Sequence, residues 1–177
     1  NESEEFLENV DWSKTKAYAL GFGGIYLNKA GREYYGIVNE SEVKDLKQAI
    51  IKGLKEFKDP KNGINVVDNV YDGENVLQGP YVNDAWDLFV GFNGGYRASW
   101  QTALGGTPGL LIEDNKKKWS GDHLIDPALV PGVIFVNKTI DLNNPSIIDI
   151  APNILTLFDI NKPQEMQGKI LFKDENR

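Results

Sequence analysis

The stretch "NESEVKDLKQAIIKGLKEFKDP" (residues 39–60) decides the fold class. Its apolar side chains fall at Val43, Leu46, Ile50, Leu54 and Phe57, spaced by threes and fours. That spacing places them on one face of an amphipathic helix. Asn39 and Ser41 are candidate caps, and Asp59-Pro60 supplies the stop.

Working outward, the flanking segments read as strands. "KAYALGFGGIYLN" (16–28) is two short apolar runs around Gly21, Gly23 and Gly24, a strand–bend–strand pattern, and "KAGRE" (29–33) is a turn. No lysine–hydroxyl pair follows those glycines at phosphate-loop spacing, so they serve backbone geometry. "INVVDNVY" (64–71) and "WDLFVGF" (86–92) are strand-like. "GVIFVN" (132–137) is apolar and β-branched, as a buried strand would be. "PSIIDIAPNILTLFDINKP" (145–163) reads as a second helix, capped by Ser146 with Asp149 three later. Pro152 belongs in its first turn, Leu155 and Phe158 face the core, and Ile154 and Leu157 are partly buried. Helices alternating with short strands predict an α/β domain. One domain over 1–177 is expected, with charged ends, 1–10 and 173–177, that fray. The segment from Val76 to Ile125 is long and rich in Gly, Asn and Trp, and loops of that length carry function or pack on another part of the protein.

Composition removes several function classes. The 177 residues carry a formal charge of −7, and the longest basic run is Lys116-Lys117-Lys118. An acidic surface argues against nucleic-acid binding through a basic face. The chain has no cysteine, which removes disulfides, thiolate metal sites and cysteine nucleophiles without assigning a compartment. No apolar run approaches the ~20 residues of a membrane span. The acidic start "NESEEFLENV" is not a signal peptide, and a chain that begins on Asn is expected to be a fragment or a processed product.

Two stretches carry candidate chemistry. "WSGDHLIDP" (119–127) holds the single histidine, His123. Imidazole suits metal binding and proton transfer, but a lone histidine serves equally as an ordinary loop residue. Asp114, Asp122 and Asp126 are nearby carboxylates, and Ser99 and Ser120 are nearby hydroxyls outside any nucleophile elbow. A zinc site needs three or four ligands, so a complete site within these residues is not expected. In "DLFVGFNGGYRASWQTALGG" (87–106), Arg97 lies between Tyr96 and Trp100, with Gln101 next. An arginine beside aromatics suits phosphate binding or ring stacking, and equally a structural pairing with a carbonyl or carboxylate.

"DWSKTKAYALGFGGIYLNKAGREYYGIV" (11–38), "DLFVGFNGGYRASWQTALGG" (87–106), "DNKKKWSGDHLIDPALVPGVIFVN" (114–137) and "PSIIDIAPNILTLFDINKPQEMQGKIL" (145–171) occur in that order. Together they resemble the C-terminal part of type I phosphodiesterase/nucleotide pyrophosphatase-like proteins of the alkaline phosphatase superfamily. The last stretch marks the superfamily, and "GYRASWQT" (95–102) and "WSGDH" (119–123) are more specific to the phosphodiesterase-like branch. The resemblance implies part of an alkaline phosphatase-like sandwich, a mostly parallel sheet flanked by helices. It implies a phosphate ester or nucleotide as substrate and two divalent metal ions, with zinc the usual metal, that clamp the attacking and leaving oxygens ~3.5–4 Å apart. His123 matches the last metal-ligating histidine of that family, and Arg97, Trp100 and Gln101 become substrate-binding candidates. The Thr or Ser nucleophile and the remaining ligands have no counterpart here, so no catalytic residue is assigned in this chain. The expectation is a metal-dependent phosphodiesterase or phosphatase whose C-terminal portion is inactive alone, does not retain the metals, and exposes apolar surface to the N-terminal part of the same domain or to self-association. The alternatives are a non-catalytic α/β binding or scaffold module, and a sulfatase-like or mutase-like member of the same superfamily.

Overall fold

A computed structural model describes residues 7, 10–106, 108–118, 121 and 124–172. Of the ends expected to fray, only Leu7 and Val10 lie within the described residues. The chain forms two compact units, residues 1–130 and residues 131–177.

In the first unit the helix of residues 39–60 is α1, Glu40–Glu56. Its start is a capping arrangement: the Asn39 N–H donates to the Glu42 carboxylate at 3.1 Å, and the Glu42 N–H donates to the Asn39 carbonyl at 2.9 Å. It ends at Phe57, whose extended backbone N–H returns to the Leu54 carbonyl at 3.2 Å, and a turn follows in which Gly63, with a positive φ of 73°, donates its N–H to the Asp59 carbonyl at 2.8 Å. The face with Val43, Leu46, Ile50, Leu54 and Phe57 packs on two groups of buried residues, Leu27 and Val38 in one, Val66, Val67, Val70, Leu88 and Val90 in the other.

Most of those partners lie in the sheet formed by strands β1 (Ala17–Leu20), β2 (Gly24–Leu27), β3 (Val67–Asp72) and β4 (Leu88–Phe92), with Val38 and Val66 just outside the strands. Their order in the sheet is β1-β2-β4-β3. Every neighbouring pair of these strands is antiparallel, which corrects the expectation of a mostly parallel sheet. The reason is topological. β2–α1–β3 is a crossover unit, so β2 and β3 point the same way, as helix–strand alternation implies. β4 then inserts between them and runs against both. β1 and β2 join through the tight bend Gly21–Phe22–Gly23, which also dictates antiparallel pairing. A parallel contact does occur at the C-terminal end of β4, where Phe92 bridges Ile125.

A network of ions closes the opposite end of β4. Asp87 is buried and accepts from the Leu27 N–H (2.7 Å), Arg32 (2.7 Å) and Lys29 (2.8 Å). Burial alone would raise its pKa, but the bonds from Arg32, Lys29 and Leu27 outweigh it and hold the carboxyl below its usual range. Lys47 is buried on the inner face of α1 and pairs, both at 2.9 Å, with Asp72 at the end of β3 and with Glu74 on the short helix α2 (Gly73–Val76).

In the second unit α4 (Ile150–Leu157) follows a single 3-10 turn, Ile147–Asp149. Pro152 is fully buried in the first turn, as expected. Asn153 is buried too, donating to the Asp149 and Lys169 carbonyls (2.6 and 2.8 Å) and accepting from the Leu171 N–H (2.8 Å). The tail of residues 168–172 is thus tied to the helix. The outward face corrects a second expectation: Phe158 is exposed, as are Ile154 and Leu157, and Leu155 is only partly covered. Residues 132–137 form no strand, and Val133 and Phe135 are 86% and 90% exposed. β-branched composition gave that segment its strand character, but none of the described residues pairs with it. Among the described residues no helix is long and apolar enough to cross a membrane.

Candidate functional site

The candidate side chains gather where the chain leaves β4. Asn93 holds this exit: its N–H donates to the Val66 carbonyl (2.9 Å) and its side-chain amide to the Asn65 carbonyl (3.0 Å). Gly94-Gly95 then turns the chain, with φ of 87° at Gly95 and the Tyr96 N–H returning to the Asn93 carbonyl at 3.0 Å. The Tyr96 hydroxyl donates to Asp59 at 2.9 Å and accepts from Asn62 at 3.0 Å, pinning the turn to the end of α1.

Arg97 follows, half-buried. Its Nε donates to the Ala98 carbonyl at 3.0 Å and its Cζ lies 4.4 Å from the centre of the Trp100 ring. Trp100 opens the short helix α3 (Trp100–Ala103), whose cap is Ser99, the acceptor for the Gln101 N–H at 3.2 Å. Ser99 therefore has a capping role. Trp100 is 50% exposed and meets Phe22, 47% exposed on the β1–β2 bend, edge to face at 6.0 Å. Gln101 is exposed on the same turn. The structure thus brings Arg97, Trp100 and Gln101 together and adds Phe22, which no sequence signal links to them. A guanidinium held over a ring and by a carbonyl is of a kind that suits recognition of an anionic oxygen.

His123 lies outside the described residues, as do Asp122, Trp119 and Ser120. Leu124, Ile125 and Asp126 are described. Asp126 is fully buried: its N–H donates to the Phe92 carbonyl (2.8 Å), and its Oδ1 accepts from the Tyr71 hydroxyl and the Ala128 N–H, both at 2.8 Å. Burial and the bond to Asp126 raise the Tyr71 pKa. Asp126-Pro127 is legible in sequence as a cap with proline at the first position of the 3-10 turn Pro127–Leu129. Tyr71, 55 residues earlier, gives no such signal.

A metal centre is not built by these residues. Among the described residues no three His, Cys, Asp or Glu side chains converge on a point that could hold a metal ion. Asp114 is engaged by Lys61 at 3.0 Å, and Asp126 is enclosed by Tyr71, Gly91 and Ala128. The described residues do not fit a two-metal site. A cavity of about 170 Å³ lined by Lys29, Arg32, Lys47, Glu74 and Asp87 is no anion site either, because each cation already has a carboxylate partner.

No family model and no solved structure matches the chain. A stretch of 63 residues is 40% identical to a 2,3-bisphosphoglycerate-independent phosphoglycerate mutase of Metamycoplasma hominis, covering 36% of this chain and 12% of that protein. The matched stretch thus spans about an eighth of that relative.

Proposed function

We propose that this chain is part of a phosphoryl-transfer enzyme of the alkaline phosphatase superfamily, with the mutase-like reading placed ahead of phosphodiester hydrolysis. The similarity to a phosphoglycerate mutase carries this order, since it is a match of 40% identity over 63 residues. The phosphodiesterase reading rests on "GYRASWQT" (95–102) and "WSGDH" (119–123).

Arg97 is assigned to the oxygens of the transferred phosphate, Trp100 to holding the guanidinium plane, and Gln101 to a hydrogen bond with the substrate. His123 is assigned as the one metal ligand this chain contributes. The nucleophile and the remaining ligands then come from residues other than those described here, and the 177-residue chain alone is inactive and holds no metal. Its partner on this reading is another part of the same catalytic domain.

The test is product analysis with the full-length gene product that contains this chain, supplied with divalent metal. Phosphorus NMR follows phosphoglycerate and, separately, a bis-nitrophenyl phosphate. A mutase isomerises phosphoglycerate without releasing inorganic phosphate. A phosphodiesterase leaves phosphoglycerate unchanged and releases nitrophenol. Turnover of neither substrate contradicts the proposal.

A further inference from the structure

We propose that Trp12, Tyr18, Tyr34, Tyr35 and Glu33 form a recess that binds a small methylated ammonium ion. None of these residues is among the candidates for holding the phosphate, so the recess stands apart from the phosphoryl-transfer reading.

A cavity of about 270 Å³ has these four aromatic side chains, Glu33 and Leu20 in its lining. Among the described residues no lysine or arginine lines it, and Glu33 is its single carboxylate. Two pairs of rings meet at right angles: Trp12 and Tyr18 with centroids 5.2 Å apart at 89°, Tyr34 and Tyr35 4.6 Å apart at 85°. Crossed rings make corners and offer no flat platform for a nucleobase or a sugar. A compact tetrahedral ammonium with methyl groups suits a corner, because aromatic faces attract a cation that needs no hydrogen bonds in return. A cavity of this size lies just below the roughly 300–1,000 Å³ of drug-sized ligand pockets, which again suits a small cation.

The walls are held from behind. Tyr26, the cross-strand partner of Tyr18, stacks on it at 5.5 Å and 17°. Asn28 is fully buried, and its side-chain amide donates to the Trp12 carbonyl (3.2 Å) and the Tyr35 carbonyl (3.1 Å), so one residue joins two sides of the recess. The Arg32 Nε holds one Glu33 oxygen at 2.8 Å, while the guanidinium itself lines the other cavity and is bound there to Asp87. Burial, with the Glu33 charge second, pushes the Tyr18 hydroxyl up to about 12, so Tyr18 remains a neutral ring. The outer pair contributes little to packing: Tyr34 is 92% exposed and Tyr35 61%. Two exposed rings in contact at the mouth of a fixed recess serve no core, and a bound cation gives them a use.

The test titrates choline, and separately the uncharged alcohol in which carbon replaces its nitrogen, into the 177-residue chain and follows binding by calorimetry. Choline is expected to saturate one site, with the alcohol at least about tenfold weaker. Trp12→Ala and Tyr34→Ala should each weaken choline about two- to fivefold, and Glu33→Gln should weaken it in the same direction. Tyr34→Phe keeps the ring and should bind as the wild type does. Thermal unfolding checks each variant, and if Trp12→Ala does not fold, the exposed Tyr34 decides. Equal binding of the alcohol reduces the recess to an apolar cavity and overturns the proposal. Absence of choline binding overturns it too, as does choline binding unchanged in a folded Tyr34→Ala chain. A trimethylammonium group occurs free, as in choline, and on phosphatidylcholine, and vesicles of that lipid separate the two sources. A chain that binds choline but stays in solution takes the free cation; one that sediments with the vesicles, and less so as Tyr34→Ala, takes the head group. Either result supports the same recognition chemistry.

Discussion

The Arg32 guanidinium lies 2.7 Å from the Asp87 carboxylate, and both side chains are largely shielded from water. Asp87 also receives the Leu27 N–H, so one carboxylate joins the end of β2 to the start of β4. Removing Arg32 leaves this charge buried with less compensation. Arg32→Leu is expected to cost about 3–5 kcal/mol in urea unfolding. Because the Asp87 pKa is lowered in the folded state, its contribution is present above the unfolded carboxylate pKa and is lost as pH falls through the lower folded value. Stability of the wild-type chain should therefore fall below about pH 4, and that part of the slope should vanish in Asp87→Asn.

Leu88 is fully buried between the two strands that flank β4 and beneath α1. Leu88→Ala should destabilise the chain by about 2–5 kcal/mol, the cost of a cavity at a site with little room to collapse. Leu111, 92% exposed, provides the control, and Leu111→Ala should change stability by less than about 0.5 kcal/mol. Chemical denaturation of both variants checks the contrast.

Glu42 accepts from Lys16 at 2.9 Å and from Asn39 at the start of α1. Lys16 first, then Asn39, lower its pKa to about 2. Carboxyl-carbon NMR across an acid titration should find the Glu42 carboxyl well below the usual glutamate range, near about 2. Lys16→Ala should move it back toward the ordinary range.

Much of this architecture is legible in sequence, and the parts that are not share a physical cause. The 3.6-residue repeat of α1, the glycine bend between β1 and β2, and Pro152 in the first turn of α4 are local properties, and each is where the residues place it. The antiparallel insertion of β4 is not local, because it depends on which distant edge a strand meets. Lys47 breaks the apolar face of α1, and its burial makes sense only with Asp72 and Glu74, at least 25 residues away. At the candidate site, Arg97 and Trp100 are three residues apart and their contact can be anticipated, whereas Phe22 and Tyr71 arrive through tertiary structure. The segment of residues 132–137 misleads for the opposite reason: its composition suits a buried strand, but burial requires a partner.

Trp100 steadies Arg97 and does not itself carry charge. On the proposed function, Trp100→Ala in the full-length gene product should raise KM for a phosphate ester about two- to fivefold, the equivalent of a ~0.5–1 kcal/mol cation–π contact, with kcat less affected. Arg97→Lys should do more than this, since an ammonium group cannot present the same planar pair of donors. Steady-state kinetics on the three proteins ranks them.

The most direct measurement is phosphate-ester turnover by the full-length gene product with and without His123→Ala, in the presence of divalent metal and with folding verified by thermal unfolding. Loss of turnover by at least about a hundredfold is expected if His123 holds a metal at the reacting phosphate. Undiminished turnover in a folded His123→Ala enzyme would contradict the assignment.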